Sequence, residues 1–321
     1  MTTHRVRVIA RGTGFGEGPV ITTKGEIVFV SIDKGIVHRL DAAGAHTALA
    51  VVGGGPNGAV GDADDRIYVA QNGGNWMVGR ERGDGYEPIP AASGVQVVER
   101  NGSFVHLTSE PHAPNDICFG PDGMLYVTDP TRRRTYDDGR IWRVDPSTGV
   151  AELLYQLDWF PNGIAFGLED DAFYVASTGG QEIVKLATHP TSPDQGGDVV
   201  IRMRFGHPDG MAFDVDGNLL VCALSRTDEP GQIQVWEVTG TLLGQYSPGP
   251  HARYTNLALS GDRTIVISDS DGDAMLAIDD WPTAGLALHP LRSVSSTAPV
   301  LAPALRALDL SDTTATSPDV T

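Results

Sequence analysis

The chain has 321 residues, 40% hydrophobic and 20% charged, with 39 glycines, 21 prolines and a formal net charge of −18. That balance supports a full-sized core and excludes a disordered chain. So acidic a surface repels phosphate backbones and anionic lipid, which argues against nucleic acid and membrane as partners.

A short strand, Arg5 to Ile9, comes first. Next, GEGPVITTKGEIVFV (Gly16 to Val30) reads as two strands around a polar turn. The same pattern returns in PNGAVGDADDRIYVA (Pro56 to Ala70), then, past an insertion over about 77–109, in PNDICFGPDGMLYVT (Pro114 to Thr128). PNGIAFGLEDDAFYVA (Pro161 to Ala176), PDGMAFDVDGNLLVC (Pro208 to Cys222) and TNLALSGDRTIVIS (Thr255 to Ser268) complete six copies. Third strands follow at Gly139 to Asp145, Gln181 to Ala187, Gly231 to Val238 and Ala274 to Asp279. Asn115, Asn162, Asp209 and Asn256 are each 47 residues apart. A period of roughly 40 to 50 residues, with several short strands per unit and no helical periodicity, predicts an all-β six-bladed β-propeller with a central metal site. Residues 1–292 form this single domain. Residues 293–321, rich in Ser, Thr, Ala and Pro, form a partly disordered tail, part of which closes or packs on the ring. Cys118 and Cys222 lie in apolar strands and read as buried free thiols. No apolar run is long enough for a signal peptide or a membrane span, so a cytoplasmic location is expected.

Radial repetition has a chemical consequence. Equivalent residues at the start of each innermost strand lie on one ring around the channel. Here they are Glu17, Asn57, Asn115, Asn162, Asp209 and Asn256. All are oxygen donors, and two carboxylates neutralise a 2+ ion while amides complete its shell, so a hard divalent cation fits. Asn before Gly is also an ordinary turn former. For Asn57 and Asn256 a turn residue or an outer support of the ligands stays ahead, and convergence favours Glu17, Asn162 and Asp209. Other signals lead nowhere. Gly12 to Gly18 precede a strand where a dinucleotide fingerprint needs a helix. Asp269 to Asp273 lacks the closing glutamate of a calcium loop. Arg132 to Arg134 reads as a solvated run.

The Gly-Glu-Gly-Pro at Gly16 to Pro19, Pro-Asn-Asp at Pro114 to Asp116, Pro-Asn-Gly at Pro161 to Gly163 and Pro-Asp-Gly at Pro208 to Gly210 stand in a familiar order. Over roughly residues 12–280 the chain resembles the senescence marker protein/gluconolactonase/luciferin-regenerating enzyme family. The resemblance implies one catalytic divalent metal, Ca²⁺ first, with Mg²⁺, Mn²⁺ and Zn²⁺ compatible. It implies Glu17, Asn162 and Asp209 as ligands, with Asn115 joining the shell or contacting substrate. The Glu, Asn, Asn, Asp order is similar to that of diisopropyl fluorophosphatase, where all four hold calcium. Ala113 stands where animal aldonolactonases carry a substrate-binding arginine, whereas Pro-Asn-Asp and Thr-Asp-Pro (Thr128 to Pro130) are closer to bacterial gluconolactonases.

The expected activity is metal-dependent hydrolysis of a small lactone or ester. Asp209 is the expected base and Glu17 the next choice, with Asn115, Asp116, Asp129 and His112 on the substrate side. The alternatives are a phosphotriesterase or fluorophosphatase, a specialised ring-opening enzyme on the same cage, and a non-catalytic calcium-binding propeller. The sequence leaves the oligomeric state open.

Overall fold

The computed structural model describes residues 4–41, 44–75, 89–131 and 138–289. Among them the strands form six four-stranded antiparallel sheets, five of them meanders of consecutive strands, arranged as the blades of a propeller. No α-helix occurs among the described residues. The innermost strands are Gly16–Ile21, Pro56–Gly61, Ile117–Phe119, Pro161–Phe166, His207–Phe213 and Tyr254–Leu259, for blades 1 to 6 in order, and they meet one another around the channel.

Strand chemistry follows position in the blade. Second strands such as Leu125–Asp129 and Ala172–Ser177 are buried throughout, because a neighbouring blade covers each face. They accordingly read as unbroken apolar runs. Outermost strands such as Asp198–Arg202 are largely exposed. Short hairpins join first and second strands, and in blades 2, 3, 5 and 6 an acidic side chain accepts from backbone N–H groups of the turn. Asp62 accepts from the N–H groups of Asp64 and Arg66, and Asp214 from those of Asp216 and Asn218.

The core is not a single mass. Six apolar clusters occupy the six junctions between blades. Tyr126 of blade 3, for example, packs edge-on to Phe166 of blade 4 at 5.0 Å between ring centroids. The cluster between blades 6 and 1, around Phe29, Val266 and Met275, is the smallest of the six. That junction carries the ring closure: the N-terminal strand Val6–Arg11 pairs antiparallel with Ala274–Ile278 and becomes the fourth strand of blade 6.

The sequence expectation gave part of the tail a role in closing the ring or packing on it; the first strand supplies the fourth strand of the closing blade. Residues 290–321 lie outside the described residues, but the segment before them packs on the ring. Leu286 N donates to Phe213 O, and the His289 ring meets Phe166 edge-on. The expected insertion also narrows. Gly94–Val98 and Phe104–Thr108 are the two outer strands of blade 2, and residues 76–88 lie outside the described residues, as does the Arg132 to Arg134 run. Cys118 and Cys222 are both free and buried.

Candidate metal centre in the channel

The Pro-Asn-Gly repeat is a bulge repeat. Pairing between first and second strands slips at Glu17/Val20, Pro56/Ala59, Pro161/Ile164, Pro208/Met211 and Tyr254/Asn256. Each bulge falls on a ring position, where the extra residue re-aims a side chain and kinks the strand. All six ring residues are buried.

The glycine after the ring residue permits the close approach of blades. A Cβ on Gly163 would sit 2.2 Å from the Asp209 carbonyl oxygen, and one on Gly18 would sit 2.6 Å from Ala59 N. Gly18 also holds a φ of 50°, a left-handed conformation that suits glycine. Hydrogen bonds stitch the blades at the same level. Gly58 N donates to Asn115 O at 2.6 Å. Thr128 Oγ1 donates to Asn162 O at 2.7 Å, and Thr178 Oγ1 to Pro208 O at 2.8 Å. Thr255 Oγ1 and Ser270 Oγ both reach Gly16 O, across the junction that closes the ring. Asn162 Nδ2 donates to Thr178 Oγ1 at 3.0 Å. That bond commits the nitrogen end of the amide to the wall; the carbonyl oxygen, the end a hard cation takes, is not used in it.

Charge collects here. Burial and the Asp116 charge push the Glu17 carboxyl up to about 8, against hydrogen bonding from Thr255, Gly18 N and Asn256. Burial raises Asp116 to about 6, against the N–H groups of Ile117 and Ile164 and the Asn256 amide. Burial pushes the Cys222 thiol up, and the charges of Asp209, Glu17 and Asp116 push it further, so all three carboxylates act on one sulfur. The groups acting on Glu17 and Asp116 are hydroxyls, amides, N–H groups and acids; none is Lys or Arg. Buried acids that resist ionisation for want of positive charge suit a cation. Among the described residues no three His, Cys, Asp or Glu side chains gather as a metal set. Amide oxygens therefore have to supply the rest of any shell, which suits an oxygen-seeking ion and not a thiolate or imidazole site.

Glu17, Asn162 and Asp209 stand near the starts of their inner strands and Asn115 just before its own, and all four are buried. Asp116 and Asp129, expected on the substrate side, are both buried and accept backbone N–H bonds. The Asp116 carboxylate turns inward, where it accepts from Ile117 N at 2.9 Å and Ile164 N at 3.3 Å. Asp129 is fully buried and saturated. Its two oxygens accept from the N–H groups of His112, Ala113 and Thr131 and from Trp142 Nε1. Four donors fill a carboxylate's lone pairs, so Asp129 holds the loop that carries His112. His112 itself is exposed on the rim, with Nδ1 3.2 Å from an Arg140 nitrogen. Guanidinium only donates, which makes Nδ1 the acceptor and places the imidazole proton on Nε2. Asn256, expected as a turn residue or an outer support of the ligands, is buried, and its Oδ1 accepts from Leu257 N at 2.8 Å. Its place in the 47-residue register was the available signal.

Residues 15–268 match the protein family described as "SMP-30/Gluconolactonase/LRE-like region". The gluconolactonase of Zymomonas mobilis is 25% identical over 307 residues, covering 83% of this chain and 79% of that protein. Among solved structures, a calcium-binding protein, regucalcin, from Agrobacterium tumefaciens superposes with a TM-score of 0.71 at 18% identity, over 91% of this chain and 99% of that one. A gluconolactonase from Xanthomonas campestris gives 0.68 at 20%, over 86% and 89%. At such identities the structural likeness establishes the fold.

Proposed function

The chain belongs to the SMP-30/gluconolactonase/LRE-like family, and from that premise we propose that it is a metal-dependent lactonase that hydrolyses a small cyclic ester. One observation carries the reading. Buried carboxylates and amides stand at equivalent positions of the six inner strands, and burial, with no Lys or Arg among the groups acting on them, pushes Glu17 and Asp116 up. A non-catalytic scaffold has no use for acids buried at such cost.

The donor set fits one divalent ion, Ca²⁺ before Mg²⁺, Mn²⁺ or Zn²⁺, held by Glu17, Asn162, Asp209 and Asn115. Such an ion supplies Lewis-acid polarisation of the ester carbonyl and charge for the developing oxyanion. The chain supplies the rest. Asp209 takes a proton from the attacking water as the new C–O bond forms, and Glu17 is the second choice for that role. The bond between the carbonyl carbon and the ring oxygen then breaks, and the proton passes to the departing alkoxide, giving the hydroxy acid. Asn115 orients the substrate from the ring, and His112 offers its Nε2–H from the rim to a substrate oxygen. The substrate is a small molecule of the sugar or aliphatic lactone class. The similarity to gluconolactonases supports this class, and the regucalcin likeness supports calcium.

The test is hydrolysis of a lactone panel, followed by acid release, on EDTA-treated protein with and without each divalent metal. Metal should restore activity, and Asp209→Ala and Glu17→Ala should each lower kcat at least about 100-fold. Tight metal binding without hydrolysis of any lactone would overturn the reading and turn attention to phosphoesters.

A further inference from the structure

His207 opens the innermost strand of blade 5, two residues before Asp209. The chain leading to it is pinned on both sides. Gln181 Nε2 of blade 4 donates to Gly206 O at 2.9 Å, and Gln234 Nε2 of blade 5 to Phe205 O at 3.2 Å. The imidazole is fixed as well, with Nδ1 2.8 Å from Thr178 O. A carbonyl only accepts, so Nδ1 carries a proton, and in the neutral ring Nε2 is a bare acceptor. Thr178 of blade 4 also anchors a neighbouring donor. Its Oγ1 accepts from Asn162 Nδ2 at 3.0 Å and donates to Pro208 O at 2.8 Å. One threonine thereby holds His207, the residue before Asp209 and the Asn162 amide together. The far edge of the imidazole is uncommitted. Among the described residues none bonds His207 Nε2, and this nitrogen is not one of the buried polar atoms left without a partner, so it stands open in a half-buried ring. An acceptor held this firmly loses little freedom when a ligand engages it.

The tautomer is the opposite of that in His112, where Arg140 makes Nδ1 the acceptor and leaves Nε2–H to donate. One imidazole offers a donor and the other an acceptor, both at the end of the channel where the inner strands begin. A hydroxyl can use either, and the ring carbons of an unsubstituted lactone can use neither. We propose that His207 is a specificity-determining residue: its Nε2 accepts a hydrogen bond from a substrate hydroxyl and so selects hydroxylated lactones over plain aliphatic ones. The inference rests on the lactonase reading above and narrows its two substrate classes to one.

The experiment measures kcat/KM of the full-length, Ca²⁺-loaded protein on glucono-δ-lactone and δ-valerolactone, which share a ring size and differ in hydroxyls. Wild type, His207→Asn and His207→Gln are compared. Asparagine places its amide nitrogen where Nδ1 stands, so it keeps the bond to Thr178 O and deletes Nε2. In His207→Asn the ratio of kcat/KM, hydroxylated over plain, should fall about tenfold, with the change in KM. His207→Gln, whose Oε1 reaches the place of Nε2, should recover part of the ratio. An unchanged ratio in His207→Asn would overturn the proposal, because a mere support of Asn162 and Asp209 would slow both lactones alike. So would a wild type that prefers δ-valerolactone. Should the wild type open neither lactone, the lactonase reading fails by itself, and calorimetric titration with sodium gluconate decides the role of His207. Binding weakened about tenfold in His207→Asn would uphold the hydroxyl contact; equal binding, or none, in both proteins would overturn it.

Discussion

His38 lies in the third strand of blade 1, Ile36–Leu40, stacked on Phe29 at 5.0 Å between ring centroids. Its Nδ1 is 2.9 Å from His46 Nε2, and its Nε2 meets no hydrogen-bond partner among the described residues. Burial, helped by the charges of His46 and Lys34, pushes it down to about 3. An unfolded histidine titrates near about 6.5, so His38 is neutral in the fold at acid pH values where the unfolded chain carries the proton. Stability from this residue is present above about pH 6.5 and is lost as pH falls toward about 3. We expect the wild type to lose about 2–3 kcal/mol more than His38→Leu between about pH 7 and pH 4.5, read from denaturant unfolding at each pH. Parallel acid limbs would show that His38 does not carry the effect. His38 was not legible as special in the sequence, because nothing in Ile-Val-His-Arg-Leu says which face a neighbouring blade covers. Glu17 was legible, because a glutamate between two glycines has no use as a turn former.

The individual strands followed their residue types closely; their partners did not. Val6–Arg11 was recognisable as a strand, but alternation of side chains says nothing about which strand it joins. Its pairing with Ala274–Ile278, with the exposed Arg7 to Asp279 ion pair at one end, spans nearly the whole chain. Removing residues 1–11 would expose the Ala274–Ile278 edge at the junction with the smallest core. An open apolar edge favours association and loses cooperativity. The truncated protein should melt about 5 °C or more below the full chain and elute in part as aggregates on gel filtration. An unchanged midpoint would mean that the blade-to-blade clusters hold the ring unaided. The same limit explains the 77–109 stretch. Its length against the 47-residue period was visible, but Gly94–Val98 and Phe104–Thr108 could be recognised as outer strands only once their pairing with Ile67–Gln71 and with each other was known.

At the scale of the whole molecule, the site and the fold are one device. The hydroxyls that stitch the blades contact the backbone of ring residues or their neighbours, so an ion held by four blades would tie the ring together. Anything that binds only the folded state stabilises it, by about 2.7 kcal/mol at a hundredfold excess over Kd. For a chain of this size we expect Ca²⁺ to raise Tm by about 5 °C, and EDTA to reverse the rise. A Tm indifferent to every divalent ion would argue that the folded ring holds none. No helix among the described residues is long and apolar enough to cross a membrane.

The sequence by itself determined the repeat, the six blades, the ring of oxygen donors and their order. Each of these is a periodic property, and a period can be read along one dimension. Only the tertiary structure decided which strand closes the ring, that Asp129 holds the loop carrying His112, and that the Asp116 carboxylate reaches Ile164 N of the next blade. Those outcomes depend on distances between neighbouring strands, loops and blades. Such distances come from six blades packing at once around crowded glycines, and no single repeat encodes them.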